Sequence, residues 1–298
     1  MFGYIHAKTA FASKDNYQKY FKTPEEAVKA LLTACKSDDA KMMLDIFGHK
    51  HKNLVVTSDK AREKMIRVKF HKMAGEMNKL EKNKDGSFTL LVGKDGWPLP
   101  IPLVKEAKGW RFNTEAGEEE IINRRIGENE LKAIAVCLAY WEAQQEYFEK
   151  DRDTDEVLEY AQKFVSSEGK KDGLYWPVDP KSGEELSPFG PIAAKSQEYI
   201  EHRKEAGTPF FGYYYKILTG QGANAPGGKH SYIINGNMIA GFALVAYPAD
   251  YGSSGVMTFV VNHQGKAYEK DLGKDTAKIV GQMKEYNLDK TWKLIEEK

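Results

Sequence analysis

The chain has 298 residues, 41% of them hydrophobic and 29% charged, with a formal net charge of +1 from 44 basic and 43 acidic side chains. That length suits two cores better than one, the composition excludes a disordered chain, and the charge balance leaves no net field to draw nucleic acid or anionic lipid. The longest apolar runs are about five residues, far short of the roughly twenty that span a bilayer, so the sequence predicts a soluble chain without a transmembrane segment.

Residues 1–22 read as a signal-peptide remnant or a flexible N-terminus: Ala10-Phe11-Ala12 has the small-x-small form of a signal-peptidase site, although no hydrophobic stretch precedes it. Thr23-Pro24-Glu25-Glu26 is a helix start, with threonine as N-cap, proline at the first helical position and acids in the first turn. The helix should run over about 24–36. Ser37-Asp38-Asp39 caps a second, through Phe47 and ended by Gly48. A third is expected over about 59–74, with Ala61, Met65, Val68 and Met73 facing inward. Strands follow at 87–93, 101–106 and 110–113, while the alternating prolines of Trp97-Pro98-Leu99-Pro100-Ile101-Pro102 belong to a connector or a sheet edge. This order resembles the cystatin-like or nuclear-transport-factor-like cone, whose mouth can bind a small ligand or whose core can be filled.

Residues 115–127 read as a charged bridge. A helix over 129–149 then repeats Leu131, Ile134, Ala135, Leu138, Trp141, Gln145 and Phe148 at helical spacing. It should pack on a sheet drawn from 211–218, 231–234, 238–248, 256–262 and 266–268, with hairpin turns at Asn235-Gly236 and Gln264-Gly265. A last helix is expected over 275–286. Cys35 and Cys137 each lie on an apolar helical stripe, which reads as two buried thiols, a disulfide being the alternative. The expected fold is α+β in two domains, a cone-like 23–127 and a helix-plus-antiparallel-sheet 128–298.

The run 97–130 (WPLPIPLVKEAKGWRFNTEAGEEEIINRRIGENE), with GLYWP at 173–177, SPFGP at 187–191, YYYKILTGQGANAPGGKHSY at 213–232, MIAGFALVAYPADYGSSGVMTF at 238–259 and YEKDLG at 268–273, resembles the bacterial domain-of-unknown-function family 2950. The resemblance covers nearly the whole chain from about residue 23 and implies an exported bacterial envelope protein, periplasmic or secreted. The C-terminal helix and its YAQ stretch also look like the soluble part of type IV pilin-like proteins, without the apolar assembly helix of those proteins.

Asp151, Asp153, Asp155, Val157 and Glu159 stand at positions 1, 3, 5, 7 and 9 of a calcium-loop pattern, so calcium or another hard cation is the one cofactor the sequence raises. Glu156 stands where that loop wants glycine and Gln162 where it wants glutamate, and a solvated acidic loop is the alternative. Tyr175, Trp176, Lys229, His230 and Asp250 form a candidate binding surface, in loops rich in aromatics and glycine. Gly220-Gln221-Gly222-Ala223-Asn224-Ala225 mimics a dinucleotide fingerprint, but Pro226 follows where a helix should start. The leading expectation is a non-catalytic binding or assembly factor for an envelope component or small ligand. Its alternatives are an envelope hydrolase using the His230 and Asp250 loops and a pilin-like accessory subunit.

Overall fold

A computed structural model describes residues 17–152, 154–179, 181–190 and 208–296. It divides into two compact units, one holding residues to Val56 with Glu63–Ile122, the other Thr57–Arg62 with the chain from Asn123.

In the first unit, Thr23 accepts a hydrogen bond from Glu26 N to start α1 (Pro24–Lys36), and Asp39 accepts one from Met42 N to start α2 (Ala40–Phe47). These caps are the ones the sequence predicts. After the short α3 (Lys52–Val55) comes α4 (Lys60–Glu76), whose residues through Arg62 belong to the second unit. Strands β1 (Asn78–Lys82), β2 (Phe88–Val92), β3 (Trp97–Pro98), β4 (Leu103–Glu106) and β5 (Gly109–Phe112) make an antiparallel sheet in the order β1-β2-β4-β5, with β3 also on β2. Leu31, Ile46, Leu90, Ile101, Leu103 and Phe112 fill the core. The inner face expected of α4 needs correction: Val68 is 40% exposed, and Arg67 is buried in its place. Arg67 can be buried because Asp38 takes its Nε at 2.6 Å and Glu63 its Nη1 at 3.5 Å.

The expected charged bridge is helical. A single 35-residue helix, α5 (Thr114–Phe148), runs through it. No proline interrupts the chain between Pro102 and Pro177, and the Glu128–Lys132 pair at 2.9 Å supports the exposed side. The inner face in the second unit is Ala133, Val136, Cys137, Tyr140, Ala143, Gln144 and Tyr147, whereas Leu131, expected inside, is 72% exposed. Tyrosine and glutamine take the inner positions because their polar atoms find partners there: Gln144 donates to the Tyr140 hydroxyl at 2.9 Å and to Ala161 O at 2.8 Å.

That face belongs to a core shared with the strands of the second unit. Strands β6 (Tyr213–Leu218), β11 (Ala243–Pro248), β12 (Met257–Asn262), β13 (Ala267–Asp271) and β15 (Lys293–Leu294) form an antiparallel sheet in the order β15-β13-β12-β11-β6. Beside it lie β7 (Gly220–Gln221), β8 (His230–Ser231) and β14 (Glu285–Tyr286), and the hairpin β9 (Ile233–Ile234) to β10 (Asn237–Met238). Asn235 and Gly236 turn that hairpin with φ of 52° and 98°, the paired left-handed residues of a primed turn. The last helix, α6 (Thr276–Gln282), is shorter than expected, because Met283 turns extended and Glu285–Tyr286 pairs parallel to β7. Lys216 Nζ satisfies its final carbonyls, donating to Val280 O and Gly281 O at 2.9 Å each.

Cys35 and Cys137 are unbonded and buried, and burial pushes both thiols up to about 12. Among the described residues no helix is long and apolar enough to cross a membrane.

Two glycines of α5 separate tight packing from mere tolerance. A Cβ on Gly117 would lie 2.6 Å from the Pro100 carbonyl carbon and 2.8 Å from Ile101 N, whereas a Cβ on Gly127 would meet nothing within 4 Å. Gly117→Ala is expected to destabilise by about 1–3 kcal/mol through overpacking, and Gly127→Ala to stabilise by about 0.5–1 kcal/mol through helix propensity. Urea unfolding of the two variants beside the parent chain checks both signs.

Candidate functional site

The acidic loop after α5 folds on its own amides. Asp151 accepts Thr154 N at 2.7 Å and Glu156 N at 2.9 Å, and Asp155 accepts Val157 N at 2.8 Å and Asn237 Nδ2 at 2.6 Å. Glu159 accepts Met238 N at 3.0 Å, so the loop is tied to the β9–β10 hairpin. Thr154 and Glu156 adopt φ of 67° and 65°, a left-handed backbone that these bonds hold. Asp153 lies outside the described residues, as does Ala10-Phe11-Ala12. Among the described residues no group of three His, Cys, Asp or Glu side chains is placed to hold a metal ion. Of the described carboxylates of the pattern, those of Asp151, Asp155 and Glu159 accept backbone amides. If these amides suffice to hold the carboxylates, the melting temperature is equal in EDTA and in millimolar calcium, and Asp151→Ala costs about 0.5–1.5 kcal/mol by removing two exposed hydrogen bonds. Differential scanning calorimetry in both buffers measures this.

Trp176 is not a contact surface: it is 6% exposed and part of the core, donating Nε1–H to Glu185 O at 3.0 Å. Tyr175 beside it is half-buried, its N–H donating to Phe164 O at 2.8 Å. An indole buries more area than any other side chain and needs a single acceptor, which this loop provides. The Arg152 guanidinium lies 4.7 Å from the Tyr147 ring centroid and 5.9 Å from that of Trp176. It donates to the carbonyls of Tyr147 and Glu146 at the end of α5 and to Glu185 at 3.2 Å. Burial by itself would raise the Glu185 carboxyl, but bonds from Lys150 and Lys171 and the charge of Arg152 outweigh it and hold it at about 2. A carboxyl depressed in the folded state stabilises above its unfolded value, near 4.3, and loses that contribution as pH falls toward 2. Acid unfolding followed between those values should become less steep in Glu185→Gln, and an unchanged profile would refute the clamp.

Lys229 and His230 are exposed, with Lys229 paired to Glu285 at 3.2 Å. The register of the sheet parts His230 from Asp250. Strand β11 runs from Ala243, opposite Leu218 and Asn262, to Pro248, opposite Tyr213. His230 pairs with Gln221 just past Leu218, and His263 follows Asn262, so both histidines lie at the Ala243 end. There each ring stands edge-on to Tyr232, at 5.7 and 6.0 Å, and burial, then the neighbouring His230, holds His263 below the usual imidazole range. Asp250 follows Pro248 at the other end, as does Asp271, which pairs with Met257 and accepts the Tyr251 hydroxyl at 3.0 Å. Five strand steps put about 17 Å between the two ends. A hydrolase arrangement of His230 with Asp250 is not assembled.

Asp250 instead anchors a polar cluster that sequence reasoning missed. Its carboxylate accepts Ser58 N and Ser58 Oγ, both at 2.7 Å. Asp59 caps α4, accepting Arg62 N at 2.9 Å, and also accepts Gly212 N at 2.8 Å. Ser254 Oγ donates to Gly212 O at 2.8 Å, and Asn129 Nδ2 donates to Ser254 O at 2.7 Å. Gly212 has φ of 77°, and a Cβ there would lie 3.0 Å from Asn129 Cγ, so only glycine fits. Arg62 Nη2 meets Glu128 at 3.0 Å, and Arg125 Nη1 reaches Ser253 Oγ at 3.5 Å. Ser58 and Asp250 are 192 positions apart. The one local signal was Ser-Asp before a helix, which predicts a cap and nothing more.

No curated protein and no solved structure was found to match the chain. A family model described as "Protein of unknown function (DUF2950)" matches residues 18–295, nearly the whole length that carries the two units and the Asp250 cluster, and the chain belongs to that family.

Proposed function

We propose that the protein is an exported component of the bacterial envelope that acts as a non-catalytic binding or assembly factor. The observation that carries this reading is the use made of the candidate catalytic groups. Asp250 and Ser254 hold Ser58 and Gly212, and the histidines stand at the far end of the sheet. Side chains committed to ordering backbone segments serve a rigid scaffold, and a rigid scaffold presents a binding surface without ordering cost. In the first unit, α1 and α2 packed on β5 support a cystatin-like or nuclear-transport-factor-like course with a filled interior. In the second, one long helix on an antiparallel sheet supports an α+β binding module.

The test is protease accessibility in a bacterial host expressing the tagged full-length chain. Degradation by external protease after the outer membrane is opened, with a cytoplasmic marker intact, is the expected result. Protection until the cells are lysed would overturn export. A hydrolase turnover abolished by both Asp250→Asn and His230→Ala would overturn the non-catalytic reading.

A further inference from the structure

Arg62 is buried with most of its hydrogen-bonding capacity unspent. It is 3% exposed, and although its Nη2 meets Glu128 at 3.0 Å, its Nε and Nη1 have no partner among the described residues. The surrounding acceptors are already engaged. Asp59 takes the Arg62 and Gly212 amides, Asp250 takes both donors of Ser58, and Glu128, half of whose side chain is exposed, also holds Lys132 at 2.9 Å.

A buried guanidinium does not keep bare N–H groups, because each forfeits its hydration without return. Water would satisfy the donors but would leave the charge to a half-exposed carboxylate shared with a lysine. An oxyanion satisfies both, since charge-assisted bonds to Arg are the stronger kind. Arg62 also stands in the first turn of the 17-residue α4, where the helix dipole favours negative charge. We infer that the second unit binds an oxyanion, the carboxylate or phosphate end of a ligand, on the buried, unbonded Nε and Nη1 of Arg62. This site is independent of where the protein resides and of the two sheet ends considered for hydrolysis.

The test titrates inorganic phosphate, and separately acetate, into the full chain at constant ionic strength, reading heat by calorimetry and the melting temperature in parallel. The expected result is a saturable rise in melting temperature with at least one of the two anions, matched by a calorimetric isotherm. Arg62→Gln should weaken binding about tenfold or more, and Glu128→Gln, which removes a competing negative charge, should tighten it. A parent chain that shows no saturable response to either anion up to tens of millimolar overturns the inference without any variant. So does an Arg62→Gln chain that folds and responds like the parent, or a Glu128→Gln chain whose binding is no tighter.

Discussion

The side-chain amide of Gln144 decides where the chain goes after α5. Fully buried on the inner face of the helix, it donates to Ala161 O and accepts Ala161 N, both at 2.8 Å, so that one side chain supplies what a neighbouring strand would. An amide in a dry core must find such partners or cost more than it contributes. Once Ala161 is held, Tyr160 bonds Met238 O at 2.8 Å, stacks on Phe148 at 4.6 Å and meets Phe242 edge-on at 4.7 Å. The acidic loop therefore has to double back over the end of α5, and its carboxylates arrive at the hairpin amides as a result. Their closeness in sequence follows from this geometry as readily as from ion binding.

Charge is used in the same way elsewhere in the second unit, as a partner for backbone ends. Arg152 takes the last carbonyls of α5 and Lys216 those of α6, at the negative ends of the two helix dipoles. Asp59 takes amides at the positive end of α4. Arg62 departs from this economy. Its guanidinium caps no helix, and among the described residues its Nε and Nη1 have no partner, as is true of the Nε of Arg152. Its pair with Glu128 leaves two buried donors of one guanidinium without a partner among the described residues.

Elements marked by local chemistry were legible in the sequence, and those decided at long range were not. Thr23 with Pro24, Asp39 with Gly48, and Asn235 with Gly236 each encode a backbone geometry in two residues, and the helices and the hairpin lie there. The inner face of α5 was misread because apolar periodicity favours Leu131 and Leu138, while the packed face contains Tyr140, bonded by Gln144 one turn on, and Gln144 and Tyr147, whose polar atoms reach Ala161 and Lys171 beyond the helix. Trp176 was placed outside because a Gly-Leu-Tyr-Trp-Pro stretch reads as loop, and a loop can still lay an indole into a core when it supplies the acceptor itself. The Asp250 cluster joins residues near 58, 129, 212 and 254, and no periodicity spans such separations. Thr57–Arg62 grouping with the second unit has the same origin, since Ser58 and Asp59 bond to Asp250 and Gly212.

What the sheet keeps apart bears on chemistry as much as what the cluster brings together. Proton transfer between an imidazole and a carboxylate needs heavy atoms within hydrogen-bond reach, and β11 holds the two kinds of group at opposite ends through a ladder whose central residues are wholly buried. Closing that gap within this ladder would mean breaking strand pairs. Binding asks for less. It needs a fixed donor in a desolvated setting and a partner with the complementary charge, and burial that would disable a general base strengthens the attraction of a permanent cation for an anion. A guanidinium stays charged at any physiological pH, so its unbonded donors keep their attraction for an acceptor. The sheet that holds His230 and Asp250 at opposite ends thus leaves binding, at a fixed cation such as Arg62, as the simpler use of the scaffold.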